Sequence, residues 1–118
     1  IAFFAGPLGQ RLLTRPEKVK RELPFSLAVS ATGLFPGLPA EVAAGEIILV
    51  QGIIDCLVDE EGGFLLLDFK TGKVPPDPLA VYREQVQFYS RAVATIFNRP
   101  VKEAHLYFLD GGKSYRAM

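Results

Sequence analysis

The sequence predicts an α/β or α+β domain, a mixed sheet with helices packed on it. Three observations predict it. Glu46 to Val58 is apolar at almost every position on both parities, the signature of a strand covered on both faces. Tyr82, Val86, Tyr89, Val93 and Ile96 recur at helical spacing between Pro78 and Phe97. The order helix, three strands, helix, strand then makes a mixed sheet with a helix packed on it the simplest architecture.

The elements follow in order. Pro7 to Leu13 has apolar spacing for a short helix that starts on a proline. Lys18 to Val29 reads as extended, with Val19, Leu23, Phe25, Leu27 and Val29 apolar; Pro24 cannot donate to a ladder and marks an edge or a bulge. Residues 30–45, with Gly33, Pro36, Gly37, Pro39 and Gly45, lack periodicity and read as a mobile loop. Glu46–Val58 and Phe64–Lys70 flank Asp59-Glu60-Glu61-Gly62-Gly63 and form a hairpin. Prolines at 75, 76 and 78 precede the main helix, Val101–Leu109 is a further strand, and Asp110-Gly111-Gly112 turns into a final stub.

Composition narrows the class. A chain of 118 residues with 49% hydrophobic content is one domain with a core, not a disordered tail. The longest apolar runs fall far short of the ~20 residues of a membrane helix, so a soluble protein without membrane partners is expected. The single cysteine excludes an internal disulfide, a four-thiolate zinc site and a cysteine-ligated iron–sulfur cluster, and suits a reducing interior. Cys56 itself is expected to be buried packing. The chain opens on Ile1 with no leader pattern, which suggests part of a longer protein.

Thirteen basic and thirteen acidic side chains cancel, which argues against nucleic acid, but the sum hides a pattern. Residues 1–40 carry five basic and two acidic groups, residues 41–69 seven acidic and no basic, and residues 70–118 eight basic and four acidic. Asp59, Glu60 and Glu61 are expected to solvate the hairpin turn. The flanking basic segments could guide a phosphate backbone.

Asp55 and Asp68 differ, because each lies within apolar sequence. Strand alternation puts Asp68 and Lys70 on one face, about 6.6 Å apart along the chain. A turn on Glu61-Gly62 places Asp55 opposite Asp68; a turn on Gly62-Gly63 places it opposite Lys70. Either register gathers three charges on one face. Facing carboxylates repel, so compensation comes either from a buried ion pair with Lys70 or from a hard cation such as Mg²⁺ or Mn²⁺. The second arrangement suits phosphodiester hydrolysis. Gln85 and Tyr89, four apart on the main helix, share a face; they are ordinary boundary residues or groups that bind phosphate or orient Lys70.

Gly52-Ile53-Ile54-Asp55, Leu67-Asp68-Phe69-Lys70-Thr71-Gly72 and Gln85-x-x-x-Tyr89, in this order, resemble the RecB-like nuclease family within the PD-(D/E)xK superfamily. Arg21-Glu22-Leu23-Pro24-Phe25, Val50 to Leu57 and Leu106 to Gly112 are similar to the C-terminal nuclease domain of the AddA subunit of bacterial AddAB ATP-dependent helicase–nucleases. The resemblance covers most of the chain. It implies a restriction-endonuclease-like αβββαβ core, with residues 1–118 as a single nuclease domain of a longer helicase–nuclease subunit. It also implies Mg²⁺-dependent DNA cleavage, with Mn²⁺ as a substitute, in double-strand-break repair by recombination. The implied partners are DNA, the helicase part of the parent chain and a second AddB-type subunit, in the bacterial cytoplasm.

The resemblance assigns Asp55, Asp68 and the backbone carbonyl of Phe69 as metal ligands. Lys70 becomes the catalytic lysine, and Gln85 with Tyr89 the accessory motif. Glu22 matches a family position, where a strand-edge ion pair is equally open. One departure concerns the family's upstream metal-ligating histidine: the single histidine here, His105, lies in the late apolar strand, so the expected ligand would precede Ile1. The alternative is a non-catalytic module that keeps the fold as a scaffold for DNA binding or subunit docking.

Overall fold

The computed structural model describes residues 6–30 and 47–118, apart from the side chains of residues 29 and 30. The loop expected at 30–45 falls almost wholly outside the described residues. The elements are α1 (Pro7–Thr14), a 3-10 turn (Pro16–Lys18), β1 (Val19–Ser30), β2 (Ile47–Glu60), β3 (Gly63–Lys70), α2 (Pro78–Phe97), β4 (Val101–Phe108) and β5 (Lys113–Arg116). The sheet order is β1-β2-β3-β4-β5. The fold is therefore the expected α+β arrangement, with the final stub resolved as a fifth strand antiparallel to β4. Among the described residues no helix is long and apolar enough to cross a membrane.

The hairpin partners run from Glu60↔Gly63 to Cys56↔Leu67, which selects the turn on Glu61-Gly62. Gly62 takes φ 87°, a left-handed value that glycine adopts without Cβ strain. Gly63 has a second reason to be glycine: a Cβ there would lie 2.7 Å from the carbonyl oxygen of Pro100. That close approach lets the Phe64 N–H donate to the same oxygen at 2.9 Å and starts β4 beside β3. β3 and β4 pair in parallel, with α2 as the crossover between them.

Pleating sorts β3 into two faces. Cys56, Val58, Leu65, Leu67 and Tyr107 make a core with Leu8 and Leu12 of α1. The other face looks toward α2: Phe64 meets Phe97 edge-on at 5.5 Å and Phe108 meets Tyr82 at 6.2 Å, while Val86 and Val93 are fully buried. Helix α2 has the expected bounds. The Asp77 side chain caps it by accepting the Ala80 N–H, Pro78 opens it, and Asn98 at φ 51° ends it. The apolar stripe runs through Phe97 and not Ile96, which is 43% exposed.

The chain divides into two compact units, one formed by Ile1–Leu23 with Ile54–Met118 and the other by Pro24–Ile53. All the side chains of the candidate site belong to the first. In the second, β2 departs from expectation: Ile47, Leu49 and Ile53 are 74%, 62% and 58% exposed. Burial on both parities begins only at Ile54 and extends through Cys56, Leu57 and Val58, because apolar composition alone does not supply a covering layer.

Candidate active site

The paired positions of the hairpin end at Cys56↔Leu67, and the same register carried one residue further sets Asp55 opposite Asp68. Asp55 Oδ2 accepts the backbone N–H of Phe69 at 2.8 Å. Asp68 is only 5% exposed. Burial, and then the neighbouring Asp55 carboxyl, push the Asp68 pKa up to about 6, while Lys70 opposes both.

Lys70 joins this pair to the helix. Its Nζ lies 3.1 Å from Asp68 Oδ2 and donates to Gln85 Oε1 at 2.9 Å. The Asp68 contact is an ion pair without hydrogen-bond geometry, so among the described residues this buried oxygen lacks a hydrogen-bond donor. The amide orientation of Gln85 follows from chemistry, because an ammonium can only donate. Gln85 Nε2 then donates to Tyr89 Oη at 3.4 Å. A third neighbour of the ammonium closes the set: the ring of Tyr82, its centroid 4.4 Å from Lys70 Nζ.

The backbone around Lys70 is tied to the end of the neighbouring strand β4. The Leu109 N–H donates to the Lys70 carbonyl at 2.9 Å, and the Gly72 N–H donates to Asp110 Oδ2 at 3.1 Å. Gly72 sits at φ 85°, where the chain leaves β3. The Asp-Gly-Gly turn thus has a local task that its composition does not disclose. Tyr82 is likewise legible in the sequence only as part of an apolar stripe; its signal is its place three residues before Gln85, on the same helical face.

Asp55, Asp68, Lys70, Gln85 and Tyr89 are thus brought together, with the Phe69 backbone between the two carboxylates. The Phe69 ring points to the opposite face, edge-on to Tyr107 at 6.1 Å. His105 lies apart from the cluster, its Nε2 2.8 Å from Glu103 Oε1. Cys56 is fully buried, and burial pushes its thiol up to about 11. Glu22 is exposed on β1 at φ 50°.

Among the described residues no group of three or more His, Cys, Asp or Glu side chains gathers as a metal cage. The two-carboxylate set nevertheless fits a hard dication. It offers oxygen donors, one of them buried without a hydrogen bond, and Mg²⁺ commonly takes one or two carboxylates and completes its shell with water and phosphate.

The acidic turn does not behave as expected. Asp59 pairs with Arg99 at 3.1 Å, and Glu60 pairs with Arg11 and with Lys102 at 3.4 Å. Of the three turn carboxylates, Glu61 is the exposed one. Arg11, Arg99 and Lys102 are therefore engaged with the turn, while Lys73 and Arg83 are exposed.

The sequence profile of the PD-(D/E)XK nuclease superfamily matches residues 5–117. An ATP-dependent helicase/nuclease subunit of Moorella thermoacetica is 78% identical, over 98% of this chain and 8% of the relative. The proteins of the same name from Pelotomaculum thermopropionicum and Bacillus licheniformis are 52% and 41% identical, over 98% and 95% of the chain and 9% and 10% of their own lengths. The chain thus spans about a tenth of these relatives. The crystal structure of SSO0001 shares the fold, with TM-score 0.61 at 16% identity, over 93% of this chain and 47% of that one.

Proposed function

Because this chain belongs to the PD-(D/E)XK nuclease superfamily, we propose that its Asp55–Asp68–Lys70 cluster hydrolyses DNA phosphodiester bonds with Mg²⁺, as the nuclease domain of a longer helicase–nuclease subunit. The observation that carries this reading is the convergence of two carboxylates and an ammonium, with Lys70 Nζ held between Asp68 Oδ2 and Gln85 Oε1.

Asp55, Asp68 and the carbonyl of Phe69 would hold the metal. When bound, it polarises the scissile phosphate and makes a bound water more acidic. The protein's own groups do the rest. Asp68 gives up its proton to act as a ligand, which its raised pKa places near neutrality. The Phe69 N–H fixes the Asp55 carboxylate. Lys70 stabilises negative charge developing on the phosphate, and Gln85, steadied by Tyr89, keeps the ammonium aimed. In this reading the helicase portion supplies DNA, a second AddB-type subunit completes the enzyme, and the setting is break repair in a bacterial cytoplasm.

The test is cleavage of labelled single-stranded DNA in Mg²⁺ by the full-length protein. Asp68→Ala and Lys70→Ala should each abolish cutting while the protein stays folded. Normal cutting by both variants would remove the site assignment. Absence of cleavage by the parent, together with no thermal shift in Mn²⁺, would favour the scaffold instead.

A further inference from the structure

We infer that Tyr82 is a positioning residue for Lys70, its ring face forming a wall against which the ammonium is aimed at the carboxylates; this rests on the catalytic reading of Lys70. A lysine stem is long and flexible, so the ammonium acts at one place only if the surroundings remove its alternatives. Two of its neighbours are polar, Asp68 Oδ2 at 3.1 Å and Gln85 Oε1 at 2.9 Å. The third is the Tyr82 ring, whose centroid is 4.4 Å away, well within the range of cation–π attraction. The ring attracts the charge through its quadrupole without accepting the proton, and it denies that side to water.

The wall is itself braced. Lys70 and Phe108 are register partners across the parallel β3–β4 pair. Tyr82 tilts against Phe108 at 6.2 Å and 55°. Phe108 is 1% exposed and meets Tyr115 of β5 edge-on at 5.9 Å. An unbroken row of rings therefore runs from the last strand to the lysine. Tyr82 is only half-buried, so packing of its own ring is a weak reason for an aromatic residue at this position. Its contact with Lys70 is a stronger one.

The proposal separates an aromatic face from mere bulk. In steady-state cleavage of labelled single-stranded DNA by the full-length protein, Tyr82→Phe keeps the face and should stay within about twofold of the parent. Tyr82→Leu keeps apolar volume without the face and should lose about tenfold in kcat at unchanged KM. Equal losses in the two variants, no loss in Tyr82→Leu, or a loss confined to KM would each overturn the inference. Lys70→Ala is measured alongside. If it cuts normally, the catalytic reading itself fails; if it is dead while Tyr82→Leu is normal, only the role of Tyr82 fails. Should Tyr82→Leu lower the melting temperature, a thermal double-mutant cycle with Lys70→Met decides. A smaller Tm loss from Tyr82→Leu in the Lys70→Met background supports the ring–ammonium contact, and equal losses overturn it.

Discussion

The carboxylate of Asp55 holds the main-chain N–H of Phe69 at 2.8 Å, so a charge on one strand is fastened to the backbone of its neighbour just beyond the Cys56↔Leu67 pair. This bond keeps β2 and β3 joined at the position where two carboxylates face each other.

Asp55 should therefore separate stability from activity. Asp55→Asn retains an oxygen acceptor for Phe69 and removes the second cause of the raised Asp68 pKa, so the variant should be inactive yet at least as stable as the parent. Asp55→Ala strands the N–H and should cost about 1–3 kcal/mol. Urea denaturation of the two variants, compared at neutral pH, checks the order.

Acidity should act on the site through Asp68. Its folded pKa of about 6 exceeds its ordinary value of 3.8, so the folded state binds the proton more tightly than the unfolded state. The Asp68 contribution then favours folding at low pH, declines as pH rises from 3.8 through about 6, and is constant beyond. A divalent ion competes with that proton. Mn²⁺ affinity should rise between about pH 5 and pH 7 and then level off, with proton release on binding. Calorimetry in two buffers of different ionisation enthalpy measures both; affinity that is flat across this range would contradict the assignment.

The hairpin predicts an unequal pair of glycine substitutions. Gly63→Ala drives a methyl to 2.7 Å from a backbone oxygen of Pro100 and should cost about 2–3 kcal/mol, through strain at the entry of β4. Gly62→Ala meets nothing nearer than 3.9 Å and suffers mainly from φ 87°, so about 1 kcal/mol is expected. Thermal melts of the two rank them.

On the other face of the sheet, Arg11 bridges Glu60 and Glu103. Hydrogen bonding by Arg11, and then by His105, holds the Glu103 carboxyl down at about 2. A depressed folded pKa stabilises above the ordinary value of 4.5 and is lost as pH falls toward about 2. Arg11→Met should therefore lower stability at pH 7 and flatten its decline on acidification. Denaturation midpoints at pH 7 and pH 3, compared with the parent, give both readings.

Much of this architecture is legible in the sequence, and the exceptions share a cause. Helix α2 is visible because its proline and its stripe agree, and the side-chain parity of Asp68 and Lys70 needs only strand alternation. Alternation leaves two registers for Asp55, and the turn on Glu61-Gly62 decides between them. What stays hidden depends on partners distant in sequence. Ile47, Leu49 and Ile53 look like core until their neighbours are known. Asp59 and Glu60 look like solvated turn residues until Arg99, Arg11 and Lys102 arrive. Tyr82 looks like packing until Lys70 lies over its ring.

The parallel pairing of β3 with β4 carries a temporal consequence. During synthesis Asp55, Asp68 and Lys70 emerge first, but the groups that orient Lys70 come later: Gln85 and Tyr89 on α2, then Leu109 and Asp110 beyond β4. A chain that ends before β4 carries the carboxylates and the lysine without the bonds to Leu109 and Asp110. The chain order thus leaves the bonds from Leu109 to the Lys70 carbonyl and from Gly72 to Asp110 to form after both charged strands have been made.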